Sequence, residues 1–283
     1  MKTTPENSVV VRLIESSYLE IIPVAGIEDR LLDLQEGAYV AITCSPTKGV
    51  EPTLLLTEQL ANRCLKLIPH IAARVVRDRG HLQEILQRLS AAGIRSVFIP
   101  GGDADQPLGS YTESLQLLRD MADLGHKLEN IGVAAHPEGH PLVTDAGLLD
   151  LLLEKQAFAT YMVTQMCFDP EALITWLRRV REAGCTLPAW IGLPGVADRS
   201  RLFKLSMRIG VGQSAKILLK QKGLLSRVMG LKPYQPDELL EGLAPCLGDP
   251  GLNIPGFHLY SFNDIQRTER WRREVLSRYT SST

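Results

Sequence analysis

The sequence predicts a single (β/α)8 barrel, a TIM barrel, over residues 1–283, with an extra helical segment before its last strand. Three observations lead there. Eight short apolar or β-branched runs alternate with amphipathic helical stretches along the chain. At least six of the eight runs end in polar residues. No GxGxxG turn follows the first run, which disfavours the runner-up, an open doubly wound sheet. Alternation of this kind implies parallel neighbours and right-handed crossovers, and a barrel is the simplest closure.

The expected strands are Tyr18–Ile22, Tyr39–Thr43, Leu65–His70, Ser96–Ile99, Ile131–Ala135, Tyr161–Thr164, Ala189–Gly192 and Gly256–Tyr260. Helical stretches between them include Pro52–Asn62, Gly80–Ala92, Tyr111–Gly125, Ala146–Gln156 and Pro170–Ala183. The pairs Ala92-Gly93 and Ala183-Gly184 fit helix C-caps just ahead of the next strand. Two features break the repeat. Between Gly210 and Gly248, two or three helical pieces rich in Lys and Leu stand where one helix is expected. A strongly charged helix, Asn263–Tyr279, closes the chain.

Totals exclude several classes of function. The formal net charge is −1, which argues against nucleic acid or an anionic membrane as the main partner. The longest apolar runs are too short to span a bilayer, and MKTTPENSVV lacks a signal-peptide core, so the cytoplasm is the expected location. The five cysteines are odd in number and form no CxxC pair, so they read as free thiols.

The strand ends carry the chemistry. The most informative is Val133–Pro141, where a buried strand runs into a turn with His136, Glu138, His140 and two prolines. Glu20 lies inside an otherwise apolar first strand. Desolvation there disfavours the charged form, which suits a general acid; pairing with a nearby cation is the plainer reading. Thr43 and His70 end the second and third strands. Gly101-Gly102-Asp103 follows the fourth, its glycines letting backbone approach a ligand and its aspartate adding a fixed charge. Gln165 ends the sixth and can donate and accept in one plane, as the edge of a heterocycle requires. His258, in the eighth, reads as a core histidine, and Met166, Cys167 and Phe168 as packing. No His/Asp/Glu set has metal-ligand spacing, so no metal is expected, and no G-x-S-x-G or Cys/His pair suggests a covalent nucleophile.

Taken in order, these strand ends resemble the methylenetetrahydrofolate reductase family from about Tyr18 to Asn263. Leu19-Glu20-Ile21-Ile22-Pro23 is similar to its FEFFPP strand, Ala134–Pro141 to AAYPExHP, Val163-Thr164-Gln165 with Phe168-Asp169 to ITQxFFD, and Phe257–Asn263 to FHFYTLN. Gly102-Asp103 is similar to the end of its RGD turn. The resemblance implies reduction of 5,10-methylenetetrahydrofolate to 5-methyltetrahydrofolate in one-carbon metabolism, as in methionine biosynthesis. It implies FAD as cofactor, with NADH or NADPH as reductant. It makes Glu20 the general acid and places Asp103 beside pterin and flavin. Gln165 and Gln213 would bind substrate. Thr43, His70, Gly102, Asp103, Tyr111, Ala135, His136, His140 and Lys155 would bind the flavin.

The departures cluster at the dinucleotide end. Gly101 stands for the RGD arginine, His136 for a tyrosine, and Gly147 for an aspartate. The family's lysine in the helix after AAYPExHP falls on Glu154, or on Lys155 with one deletion. Asp264 replaces an arginine. The segment Gly210–Lys216 looks like a helix start with free amides, or else a tight turn. The retained Glu20, Asp103 and Gln165 imply a divergent reductase, with flavin or with direct hydride transfer. The alternative is a folate-binding or accessory protein that does not reduce. Oligomeric state, including a homo-oligomer, stays open, as does docking by the lysine-rich 210–229 stretch.

Overall fold

A computed structural model of the chain describes residues 5–140, 143–208 and 233–281. The strands are β1 (Tyr18–Ile21), β2 (Tyr39–Ile42), β3 (Lys66–Pro69), β4 (Ser96–Ile99), β5 (Asn130–Ala135), β6 (Tyr161–Thr164), β7 (Ala189–Pro194) and β8 (Phe257–Tyr260). All pairings are parallel, in the order β3-β2-β1-β8-β7-β6-β5-β4. The ring closes where the chain leaves β3. His70 bridges Phe98 in parallel, and the Ile71 N–H donates to the Phe98 carbonyl at 2.9 Å. The expected (β/α)8 barrel is the observed fold.

Helices follow the strands: α3 (Glu51–Leu60), α4 (Arg79–Ala91), α5 (Ser114–Leu124), α6 (Asp145–Lys155), α7 (Pro170–Glu182) and α8 (Arg199–Arg208). Two of them end as the Ala-Gly pairs predict. Gly93 and Gly184 take φ of 71° and 95°, open to glycine without steric cost. In each case the residue beyond bonds back into the helix, Ile94 to Leu89 and Cys185 to Val180, which satisfies carbonyls the helix end would leave free. Asp169 starts α7, its carboxylate accepting from the Glu171 and Ala172 N–H groups.

Three helices lie outside the sequence expectation: α1 (Pro5–Glu15), the single turn α2 (Ile27–Arg30) and α8. The closing helix α10 (Ile265–Ser281) packs on α1. Of the helical segment expected before the last strand, the described part holds α9 (Asp237–Leu243) and a 3-10 turn at Ala244–Cys246. Residues 210–232 of that segment, with Gln213, lie outside the described residues, as does Pro141.

The barrel floor is aromatic. Tyr18 stacks on Trp190 at 3.8 Å and meets Tyr161 edge-on at 6.2 Å. Each such pair is worth about 0.5–1.5 kcal/mol beyond its buried area. The buried Tyr161 hydroxyl donates to the Val97 carbonyl at 3.1 Å, so the layer leaves that polar group paired. With the floor filled, polar side chains one layer up are pressed toward the open carboxyl ends of the strands. No helix among the described residues is long and apolar enough to cross a membrane.

Candidate active site at the carboxyl ends of the strands

Parallel register sets the first contact. Glu20 lies beside Tyr260, and Tyr18 beside His258, so β1 and β8 present their inward side chains in adjoining layers. The Glu20 Oε2 and His258 Nε2 atoms are 3.0 Å apart. His258 is 2% exposed, and the Glu20 side chain 16%, so this pair meets at the boundary between core and mouth. The backbone around Glu20 is tied down as well. The Ser261 hydroxyl donates to the Glu20 carbonyl, and the Asn263 amide bonds Ile22 two residues on.

His70 completes a ring stack. Its imidazole lies 4.7 Å from Phe98 and 6.0 Å from His258. Burial, reinforced by the neighbouring His258, pushes it well below the ordinary histidine range, so it is uncharged near neutral pH. Glu20, His70 and His258 bring one ligand atom each to within 4.8 Å of one another. Sequence spacing shows no such set; the fold assembles it from β1, β3 and β8. The hydrogen bond between Glu20 and His258 accounts for the closeness of two of the three.

A second cluster forms beyond β4 and β5. The His136 and His140 rings lie edge to face at 5.2 Å. Burial, then His140 and Lys155, push His136 down to about 4. Burial also lowers His140, opposed by the Asp103 carboxylate. Lys155 is lowered by burial and partly compensated by Glu113. Asp103 is exposed, in the loop after β4. The structure therefore brings Asp103, Ala135, His136, His140 and Lys155 to one side of the mouth. His136 and Lys155 also line a cleft of about 520 Å³ between α6 and α7, with Arg179 and Trp176 on its far wall. Glu154, the other candidate for the family lysine, points away and pairs with Arg119 at 2.9 Å.

The remaining candidates are dispersed. Thr43 offers its carbonyl to the Thr53 hydroxyl at 2.8 Å. Gln165 follows β6, its side-chain oxygen accepting from the Met166 N–H. Tyr111 is buried in the main core, and its hydroxyl donates to Asp120 at 2.6 Å. Asp264, which stands for the family's arginine, pairs with Arg267 at 2.9 Å.

Sequence reasoning missed the contacts of two residues that shape the mouth. His258 is the core histidine the sequence predicts, 2% exposed, but its partner Glu20 is not visible in the sequence. Arg74, just beyond β3, donates to the carbonyls of Ala104, Asp105 and Thr112, fastening the loop that carries Asp103. Nothing local marks Arg74, whose partners lie 30 to 38 residues on.

A model of the family described as methylenetetrahydrofolate reductase matches residues 27–216. A Caenorhabditis elegans protein named probable methylenetetrahydrofolate reductase (NADPH) is 30% identical over 189 residues, covering 63% of this chain and 28% of its own. Methylenetetrahydrofolate reductase 1 of Schizosaccharomyces pombe is 30% identical over 117 residues, covering 38% of this chain and 19% of its own. Methylenetetrahydrofolate reductase 2 of the same yeast is 22% identical over 207 residues, covering 66% and 32%. The chain spans about a third or less of the length of these relatives.

Proposed function

The chain belongs to the methylenetetrahydrofolate reductase family, and we propose that it reduces 5,10-methylenetetrahydrofolate to 5-methyltetrahydrofolate with a hydride from NADH or NADPH. The observation that carries this reading is the Glu20 carboxyl group, anchored by His258 where the barrel opens. A carboxylic acid there protonates the departing nitrogen of the imidazolidine ring. The ring carbon–nitrogen bond breaks, leaving an iminium cation at N5. Hydride addition to its exocyclic carbon yields the methyl group, and the nicotinamide is oxidised. The Asp103 carboxylate, on the loop fastened by Arg74, favours the cation. The Gln165 side-chain oxygen accepts from the Met166 N–H, which leaves its amide N–H groups to donate to the pterin edge.

The residues present fit FAD. Gly102 takes φ 97°, and a Cβ there would stand 2.9 Å from the Ala72 side chain, so glycine lets the loop that carries Asp103 lie close against Ala72. His136 and His140 are held toward their neutral forms, and Lys155 offers a cation for a diphosphate. On the family resemblance Thr43, His70 and Ala135 would contact the flavin as well. When bound, the flavin supplies a two-electron carrier between nicotinamide and folate.

The test is methylenetetrahydrofolate-dependent oxidation of NADH and NADPH by the purified chain, with its visible absorption spectrum. Turnover with flavin bands supports the FAD route, and turnover by a colourless protein supports direct hydride transfer. Folate binding without nicotinamide oxidation would replace the proposal with the accessory role.

A further inference from the structure

We propose that His258 is a positioning residue for the proton donor: it engages one carboxyl oxygen of Glu20, so that the transferable proton is carried by the other. This rests on the reductase reading above. A free carboxyl group has two equivalent oxygens and turns readily about its last torsion. The contact from His258 Nε2 to Glu20 Oε2, at 3.0 Å, removes that equivalence and leaves Oε1 as the acid.

The imidazole is itself held. It meets Tyr260 at 4.9 Å and 63°, Tyr18 at 6.4 Å and 73°, Phe98 at 6.4 Å and His70 at 6.0 Å. Rings on these sides leave the histidine little room to rotate. Its Nδ1 is buried and has no hydrogen-bond partner among the described residues, so Nε2 makes the polar contact of this side chain. Only the tautomer with the proton on Nε2 donates to a carboxylate, and that is the tautomer we assign. Burial holds His70 toward its neutral form, so it places no cation behind the ring.

The step balances simply. The Oε1–H bond of Glu20 breaks and the proton goes to the ring nitrogen of the folate. The breaking carbon–nitrogen bond leaves its electron pair on that nitrogen. His258 keeps its Nε2 proton throughout, and its hydrogen bond to Oε2 strengthens as the carboxylate forms. The histidine therefore favours the state after transfer without removing the proton beforehand.

The experiment compares His258→Gln with His258→Asn in the full chain, each alone and combined with Glu20→Gln. A glutamine amide nitrogen falls near the position of Nε2, and an asparagine amide near Nδ1. We expect His258→Asn to lower kcat about 10- to 100-fold with KM within about three-fold. His258→Gln should recover most of that loss. In the Glu20→Gln background neither change should cost more, because the group it positions is gone. Equal losses in the Asn and Gln variants would overturn the proposal, as would a further loss in the Glu20→Gln background. If His258→Asn fails to fold, a folded His258→Gln variant that has lost kcat overturns it alone. A fully active Glu20→Gln enzyme would instead sink the reductase role of Glu20. An inactive Glu20→Gln enzyme with a fully active His258→Asn counterpart would sink only the role of His258.

Discussion

The carboxamide of Asn263 pairs with the backbone of Ile22 as a strand would, accepting from its N–H at 2.7 Å and donating to its carbonyl at 2.9 Å. Asn263 can do this because it takes φ 63°, a conformation asparagine tolerates better than most residues. The pairing extends the β1–β8 ladder by a side chain, just above Glu20. Asn263→Ala should cost about 1–2 kcal/mol through two lost hydrogen bonds. Thermal unfolding should show a Tm lower by a few degrees, and kcat should fall with it. An unchanged Tm and kcat would show that the clamp is dispensable.

Gly192 lies under the mouth, where a Cβ would stand 2.2 Å from the Thr164 carbonyl and 2.8 Å from the Tyr260 ring. The Tyr260 hydroxyl donates to that same carbonyl at 3.0 Å. Gly192→Ala must push β6 from β7 or displace Tyr260, at a cost of about 1–3 kcal/mol or more. Denaturant unfolding should report the loss, and wild-type stability would contradict the packing described.

His136 makes stability depend on acid. Its folded-state value is pushed down to about 4 from the ordinary 6.5. Between those values the unfolded chain binds the extra proton. The contribution is therefore full above pH 6.5 and is lost as the pH falls toward 4. At pH 5 this amounts to about 2 kcal/mol relative to pH 7.5. The buried His70 acts in the same direction. His136→Asn should flatten the slope of stability between pH 7.5 and 5, read by urea unfolding at each pH. The same slope in both proteins would exclude His136 as its source.

Arg74 fastens three carbonyls of the loop that carries Asp103. Arg74→Ala should loosen residues 103–112, seen as faster proteolysis in that loop. A ten-fold or smaller fall in kcat/KM should accompany it, because about 1 kcal/mol of positioning is lost from a partly exposed group. Unchanged proteolysis and kcat/KM would remove the loop-fastening role.

What the sequence shows of this fold follows from burial. Ser96–Ile99 and Tyr161–Thr164 match their strands at both ends, because barrel strands are covered on both faces and stand out as short apolar runs. Helix α1 escapes notice although Val10, Leu13 and Ile14 carry the helical spacing and are fully buried. Its partner α10 lies at the other end of the chain, and a few apolar residues near a terminus give little context. The site divides the same way. Glu20 is conspicuous as a charge in an apolar strand. His258 is not, because its role depends on a carboxylate 238 residues away. Residue types at strand ends mark a site; which of them touch is decided by register and barrel closure.

The most direct measurement is methylenetetrahydrofolate-dependent NADH and NADPH oxidation by the wild-type chain and by Glu20→Gln. The expected result is turnover in the wild type and a loss of about 10²-fold or more in kcat for the variant, with folate binding retained. Full turnover by Glu20→Gln, or a wild-type chain that binds folate without oxidising either nucleotide, would contradict it.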